Sequence, residues 1–215
     1  MASDFSIMLH KYLTNYLPNE RGYSENTIKT YRYTFILFIK YLSTIQIKSD
    51  KFELKDFNRK LVNDFLDYLE QTKGSCVNTR NNRLATLLSF ARFLAYEYPD
   101  YLNNYSEILD IKTKKGKETS VDYLDIEEIK SIISSTDKKS PQSYRDFMII
   151  FLLYETGARV SELINMKIRD FHMTKPYYIK ILGKGNKERL VPLSEIVIKE
   201  VKQYLRVLEL NSKPT

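Results

Sequence analysis

The sequence predicts a mainly α-helical protein with a small β-hairpin or sheet, divided into two domains. Glycine and proline number only six each in 215 residues, which disfavours a loop-rich β-sandwich and favours long helices. Apolar residues recur at helical spacing through the first hundred residues and again over residues 125–168. Residues 177–193 differ, because two aliphatic runs there flank a glycine-rich turn, as in a β-hairpin.

Four amphipathic segments in the first hundred residues predict a compact helical bundle. The first helix is predicted over Asp4–Tyr16. The second follows Ser24, a suitable N-cap. Its apolar stripe, at spacings of three and four, comprises Ile28, Tyr31, Phe35, Phe38 and Leu42. The third and fourth helices are predicted over about 58–73 and 77–96, the fourth with a core face of Leu84, Leu87, Leu88, Ala91 and Leu94.

The second block begins with a capping-box pattern, in which Asp125 is followed three residues later by Glu128. Two further helices are predicted over 143–155, which includes an eight-residue apolar run, and over about 160–168. Two strands, 177–182 and 189–193, are joined by a basic turn. Ser194 then caps a final helix that extends to about residue 210.

Helical periodicity is lost between residues 100 and 122. The segment Ile111–Lys117 holds four lysines and one glycine, which is typical of a flexible basic linker. A solvated loop within one domain fits the composition equally well. The predicted organisation is a helical domain over 1–100, a basic linker over 101–122 and a second domain over 123–215.

Charge and composition restrict the function. The net charge is +7 and both halves are basic, which is a weak indication of a polyanionic partner. Cys76 is the single cysteine, so a disulfide framework and a cysteine zinc site are excluded. The longest apolar run, of eight residues, is too short to span a membrane, and no signal peptide is visible. A cytoplasmic protein without a membrane partner is expected.

Two segments contain candidate functional residues. In the first, Arg159 follows a glycine break and enters a new helix, where its guanidinium could clamp a phosphate. An ordinary ion pair with Glu162, three residues later, explains the same spacing. In the second, Lys184 lies between two glycines at the hairpin tip, and Lys187 and Arg189 add charge. A solvated turn is the alternative there.

Together these segments resemble the tyrosine recombinases (integrases), especially the small Xer-like members without an arm-binding domain. Gly-Ala-Arg-Val-Ser-Glu-Leu (157–163) is similar to the family's first catalytic-arginine motif. Gly-Lys-Gly-Asn-Lys-Glu-Arg-Leu-Val-Pro-Leu (183–193) is similar to its hairpin-lysine motif. Ser-Glu-Asn-Thr-Ile-Lys-Thr-Tyr-Arg-Tyr (24–33) resembles the start of the second helix of its core-binding domain. The resemblance implies a four-helix SAM-like core-binding domain followed by the first half of an α+β catalytic domain.

The resemblance also implies a chemistry. Family members attack a DNA phosphodiester with a tyrosine, forming a 3′-phosphotyrosyl bond and releasing a 5′-hydroxyl. Arg159 matches an arginine that stabilises charge on the phosphate, Glu162 the acidic position that braces it, and Lys184 the lysine that protonates the departing oxygen. No metal and no small-molecule cofactor are expected. Double-stranded DNA is the expected partner, together with other recombinase protomers, since the family acts as a tetramer.

The sequence departs from the family pattern beyond the hairpin. The two histidines, His10 and His172, do not form the His-x-x-Arg motif, and none of the 17 tyrosines matches the nucleophile's context. A C-terminally truncated recombinase that binds DNA without cleaving it is therefore expected. Two alternatives are not enzymes. One is a helical DNA-binding regulator or integrase competitor, and the other is a structural helical adaptor.

Further DNA contacts are predicted on the helical domain and the linker. Polar and basic side chains there could position the phosphate backbone or read base edges, although solvated helix faces explain them equally well. The candidates are Thr27, Lys29, Arg32 and Tyr33 on the second helix, Asn78, Thr79, Arg80 and Arg83 on the fourth, and Lys114 and Lys115 in the linker, in addition to Lys187 and Arg189 of the hairpin.

Overall fold

The computed structural model describes residues 3–116 and 122–211, apart from the side chains of residues 184 and 209–211. The chain forms two compact units, Met1–Thr119 and Ser120–Thr215, each with its own hydrophobic core. The predicted fold class is confirmed: the described residues are mostly helical, with one small antiparallel sheet in the second unit.

Helices make up the first unit, and the second, third and fourth of them agree closely with the predicted segments. The helices are α1 (Asp4–Lys11), α2 (Glu25–Thr44), α3 (Arg59–Gln71), α4 (Val77–Glu97) and α5 (Leu102–Leu109). Ser24 caps α2 as predicted, since its hydroxyl accepts the Thr27 N–H at 3.4 Å. Asn58 caps α3 in the same way, accepting the Leu61 N–H at 3.0 Å.

The first helix differs from its prediction. It is α-helical only to Lys11 and continues as a π-helical stretch, Tyr12–Glu20. Pro18 lies within this stretch and has no N–H to donate to the helical ladder. At its end the Arg21 N–H donates to the Tyr16 carbonyl, five residues back, at 3.0 Å.

An aromatic cluster forms the centre of the first unit, and Phe90 of α4 lies in its middle. The Phe90 ring is fully buried, with its centroid 5.0 Å from those of Tyr12 and Phe35. Phe5 and Phe57 contact it at 5.7 and 5.6 Å, both edge to face. Phe90 therefore ties together α1, the π-helical stretch, α2 and the segment before α3.

The linker predicted over 101–122 is wrong in its first half, because residues 102–109 form α5. Tyr105 and Ile108 of this helix, and Ile111 after it, are buried in the core of the first unit. A helix this short, with only two buried positions, leaves no clear periodic pattern in the sequence. It is stabilised by burial against the rest of the unit. Residues 112–116 continue without regular structure, and Lys117 with the rest of the predicted linker to 121 lies outside the described residues.

Four helices and a three-stranded sheet form the described part of the second unit. They are α6 (Ile126–Ser135), α7 (Pro141–Thr156), α8 (Val160–Ile164), α9 (Glu195–Asn211), β1 (Phe171–His172), β2 (Tyr178–Leu182) and β3 (Glu188–Pro192). The sheet is antiparallel in the order β1-β2-β3. Helices α7 and α9 pack through Tyr144, Phe147, Val197 and Val201, while Ile179 and Ile181 of β2 pack with Ala158.

Helix α8 is shorter than predicted, ending at Ile164 instead of near residue 168. The Asn165 side chain donates to the Ser161 carbonyl at 2.7 Å, which occupies a terminal helix acceptor. A 3₁₀ turn, Ile168–Asp170, then leads into β1, whose two residues are too few to leave a sequence pattern. Within residues 3–116 and 122–211, no helix combines the length and apolarity that crossing a membrane requires.

Candidate functional site

The junction of α7 and α8 places Arg159 at the start of a helix. Gly157 ends α7 in the left-handed conformation at φ 58°, which favours glycine. The Thr156 hydroxyl donates to the Leu152 carbonyl at 2.6 Å and accepts the Ala158 N–H at 3.2 Å. Arg159 then takes the N-cap position of α8 with an extended backbone. The glycine break predicted before Arg159 is therefore what presents this arginine.

The Glu162 carboxylate is the centre of the site. Its Oε2 accepts the Arg159 main-chain N–H at 2.9 Å, and its Oε1 accepts Nη1 of the same arginine at 3.0 Å. Arg189 of β3 adds two parallel bonds, Nη1 to Oε1 at 3.1 Å and Nη2 to Oε2 at 2.7 Å. The carboxylate thus has four donors, and its side chain is only 5% exposed. A buried carboxylate is stable in this form because each oxygen is satisfied.

This environment lowers the pKa of Glu162 to about 2. The Arg189 bonds contribute most, followed by the Arg159 main-chain N–H, since both stabilise the ionised form. The same pairing raises the pKa of Arg189 above its ordinary value. The Glu162 carboxylate therefore stays charged throughout the physiological range and holds two cations.

Gly183 allows β2 and α8 to approach closely enough for these bonds. A Cβ atom at this position would lie 3.3 Å from Glu162 Oε1 and 3.4 Å from Arg189 Nη1. The Gly183 N–H also donates to the Lys187 carbonyl at 2.7 Å, which closes the hairpin turn. Sequence reasoning missed this role, and its only signal is a glycine next to a strand end.

The predicted cations of the second unit have different surroundings. The Arg159 side chain is 71% exposed, and in the described part of the chain its guanidinium pairs only with Glu162. Lys187 is exposed at the hairpin, whereas Arg189 turns inward to Glu162. Lys184 lies in a 3₁₀ turn at the hairpin tip, but its side chain is outside the described residues. The alternative of an Arg159–Glu162 ion pair is thus present, and it leaves most of the Arg159 side chain exposed.

In the first unit, two of the predicted DNA contacts meet on one surface. The Arg83 guanidinium of α4 lies 5.0 Å from the centre of the Tyr33 ring of α2, a cation–π arrangement. Its Nη1 donates to the Thr34 hydroxyl at 3.1 Å. Thr34 is buried and was not predicted. On the same two helices, Arg32, Lys29 and Asn78 are exposed, and Thr27 and Thr79 are half-buried.

Arg80 is buried, with only 4% of its surface exposed. Its Nη1 donates to the Asn81 side chain at 3.2 Å and to the Lys112 carbonyl at 3.4 Å. This placement corrects the prediction of a phosphate contact at Arg80, because a buried guanidinium cannot reach a ligand on the surface. Its guanidinium instead donates a hydrogen bond to the segment that follows α5.

Lys114 is also engaged within the first unit. The Asn81 side chain accepts the Lys114 N–H at 3.1 Å and donates to the Lys114 carbonyl at 2.8 Å. The Lys114 ammonium pairs with Glu70 and lies 3.7 Å from Asp67. Lys115 is exposed. Residues 112–116 are therefore attached to α3 and α4, so the flexible linker predicted there is not observed up to residue 116.

Comparison with known proteins decides the family. The model of the phage integrase N-terminal SAM-like domain matches residues 10–98, and the phage integrase family model matches residues 122–214. The chain belongs to the phage integrase family. The resemblance to tyrosine recombinases inferred from the motifs is thereby confirmed.

Relatives of this integrase chain include Xer recombinases. Tyrosine recombinase XerC of Staphylococcus haemolyticus is 33% identical over 193 residues, covering 89% of this chain and 61% of that protein. XerC of Staphylococcus epidermidis is 32% identical over 189 residues, covering 88% and 60%. The XerH site-specific recombinase bound to palindromic difH substrate, a post-cleavage complex, has a TM-score of 0.66 and 26% identity over 85% of this chain and 53% of that one. The integrase chain spans about 60% of the length of these curated relatives.

Proposed function

We propose that this integrase chain binds double-stranded DNA as part of a site-specific recombinase, with Arg159 as a phosphate ligand. The observation that carries the proposal is a highly exposed arginine side chain held at a helix start by a buried carboxylate that is ionised at neutral pH. A cation held in this way is pre-oriented for a phosphate and needs little reorganisation when charge develops on it. The XerH site-specific recombinase, solved bound to palindromic difH substrate, and the Tn1549 transposon integrase, solved in complex with transposon right end DNA, support DNA as the partner.

The remaining contacts follow the same logic. We assign Lys184 to the phosphate region, since its backbone lies between Gly183 and Gly185 at the hairpin tip, and Gly185 has φ 75°. The exposed residues of α2 and α4, with Tyr33 and Arg83 at their junction, would position the duplex against the first unit. Assembly with other recombinase protomers on DNA belongs to the same proposal.

Strand cleavage is not part of the proposed activity of this chain. Covalent catalysis needs an activated nucleophile, and the sequence contains no His-x-x-Arg motif to accompany one. If a nucleophile attacked the phosphorus, Arg159 could stabilise the charge that develops on the phosphate and Lys184 could protonate the departing 5′ oxygen. The alternative of a DNA-binding regulator or integrase competitor predicts the same binding. The two differ in the fate of the bound site, which a recombinase exchanges and a competitor only blocks.

A DNA titration tests the binding proposal. Fluorescence anisotropy with a labelled duplex of random sequence should show an affinity that falls steeply between about 50 and 200 mM salt. Arg159→Gln should weaken binding on the order of tenfold, because one charge-assisted contact is lost. Arg145→Gln is the matched control, since Arg145 is 62% exposed and pairs with Asp146 beside it on α7. No binding at low salt would refute the proposal.

A cleavage assay tests the absence of covalent chemistry. A nicked suicide duplex traps phosphotyrosyl recombinases as a protein–DNA adduct that survives denaturing gels. We expect no adduct from this chain, and an adduct would show that one of its tyrosines is a nucleophile. Competition with a complete relative on that relative's own site would then favour the competitor function.

A further inference from the structure

Arg189 has an internal hydrogen-bond partner although part of its side chain is exposed. It lies on β3 opposite Ile181 of β2, and its side chain is 38% exposed. Within the described part of the chain, every hydrogen bond that its guanidinium makes is to Glu162. Two parallel N–H···O bonds to one carboxylate form a bidentate pair, which adds geometric specificity to the charge attraction.

Arg189 and Arg159 share the Glu162 carboxylate symmetrically. Each carboxylate oxygen accepts one bond from Arg159 and one from Arg189. The Arg159 guanidinium has this carboxylate as its only partner among the described residues, so its orientation depends on where the carboxylate lies. Because Arg189 comes from the hairpin and Arg159 from α8, the carboxylate also fixes the hairpin relative to α8.

We propose that Arg189 is a positioning residue, which orients Glu162 so that Glu162 holds Arg159 toward the DNA phosphate, and that Arg189 does not itself contact DNA. This inference rests on the proposed function, in which Arg159 binds phosphate. It replaces the sequence-based expectation that Arg189 is a DNA ligand. Gly183 contributes to the same arrangement, because a Cβ atom there would lie 3.3 Å from Glu162 Oε1 and would crowd the carboxylate.

A double-mutant cycle on DNA binding tests the proposal. With the random-sequence duplex, Arg189→Gln should weaken binding several-fold, as a milder form of Arg159→Gln. The Arg159→Gln, Arg189→Gln double variant should bind within about twofold of Arg159→Gln alone, since coupled residues are not additive. For the double variant, the slope of log affinity against log salt concentration should be smaller than that of the wild type by about 0.9. This is the value for one phosphate contact, whereas two lost contacts would reduce the slope by twice as much.

Lys187→Gln is the matched control, because it removes the same charge from the same hairpin at an exposed position. Combined with Arg159→Gln, it should show additive losses of affinity and of salt slope. Additive losses for Arg189→Gln as well would overturn the proposal, since Arg189 would then have its own DNA contact. Unchanged binding by Arg189→Gln alone would overturn it equally.

A measurement without DNA separates this inference from the proposed function. Carbon-13 NMR of the Glu162 carboxyl should show its pKa rising from about 2 toward its ordinary value in Arg189→Gln. In Arg189→Lys, which keeps the charge and can make one bond, the Glu162 pKa should lie between its values in the wild type and in Arg189→Gln. This variant replaces Arg189→Gln if the glutamine variant does not fold. An unchanged pKa in both variants would refute the positioning role, whereas absent DNA binding with a shifted pKa would refute only the proposed function.

Discussion

Replacing Phe90 with alanine should destabilise the first unit more than a change at any exposed aromatic of α4. Phe90 is fully buried and contacts four other rings at centroid distances of 5.0 to 5.7 Å. Truncating such a residue removes its transfer free energy and leaves a cavity, which together cost about 3–5 kcal/mol. Against a typical total of about 5–15 kcal/mol, this is a large fraction of the free energy of unfolding. The melting temperature should fall by roughly 12–20 °C.

Tyr96→Ala supplies the control, because Tyr96 lies on the same helix but is 84% exposed. Its effect should stay within about 0.5 kcal/mol. Hydrogen exchange of the α4 amides, measured as a function of urea concentration, reports the free energy of unfolding of the first unit specifically. The amides of a core helix exchange only through global opening of that unit. A loss below about 1 kcal/mol for Phe90→Ala, or equal losses for both variants, would refute the reasoning that Phe90 organises this core.

Three further predictions concern the site and the segment after α5. Because the folded pKa of Glu162, about 2, is below its ordinary value of about 4.3, its contribution to stability is complete above about pH 4.3 and is lost as the pH falls toward 2. The difference in melting temperature between wild type and Glu162→Gln should therefore shrink over that range, and a pH-independent difference would contradict the pairing. Asn81→Ala should lose two hydrogen bonds to the Lys114 main chain, at a cost of about 1–3 kcal/mol, measured as faster exchange of the Lys114 amide. Gly183→Ala should crowd Glu162 and Arg189 at a cost of about 1–3 kcal/mol, which exceeds the gain of about 0.4–1 kcal/mol from a stiffer unfolded chain. A melting temperature equal to or above that of the wild type would contradict this prediction, because it would show that Glu162 and Arg189 shift to accommodate the added methyl group.

Much of the fold could be predicted from local pattern. The apolar stripe of α2, the caps at Ser24 and Asp125, and the stop at Gly157 all appear as expected. Each depends on interactions between residues only a few positions apart, such as the Glu128 N–H donated to Asp125 at 2.8 Å. The two motifs that resemble the family, one containing Arg159 and the other the hairpin, were also recognisable from the local sequence.

Pattern failed where several elements contact one helix. The predicted core face of α4 contained leucines and Ala91, yet the structure also buries Phe90, Phe93 and Arg80. Because α4 is surrounded by other elements, its burial does not follow a single stripe, and periodicity could not identify the ring at the centre. Helix α5 was missed for the opposite reason, since eight residues with two buried positions leave too little periodic signal.

The sequence by itself determined most of the longer helices, the caps at Ser24 and Asp125, the hairpin and the identity of the two motifs, because these depend on neighbours along the chain. It also indicated the pair of Arg159 and Glu162, three residues apart on one helix turn. Only the tertiary structure decided that Arg189, 27 residues from Glu162, completes that pair. The physical reason is burial: once the hairpin packs on α8, Glu162 loses water, and the nearby guanidinium of β3 becomes the donor that satisfies it.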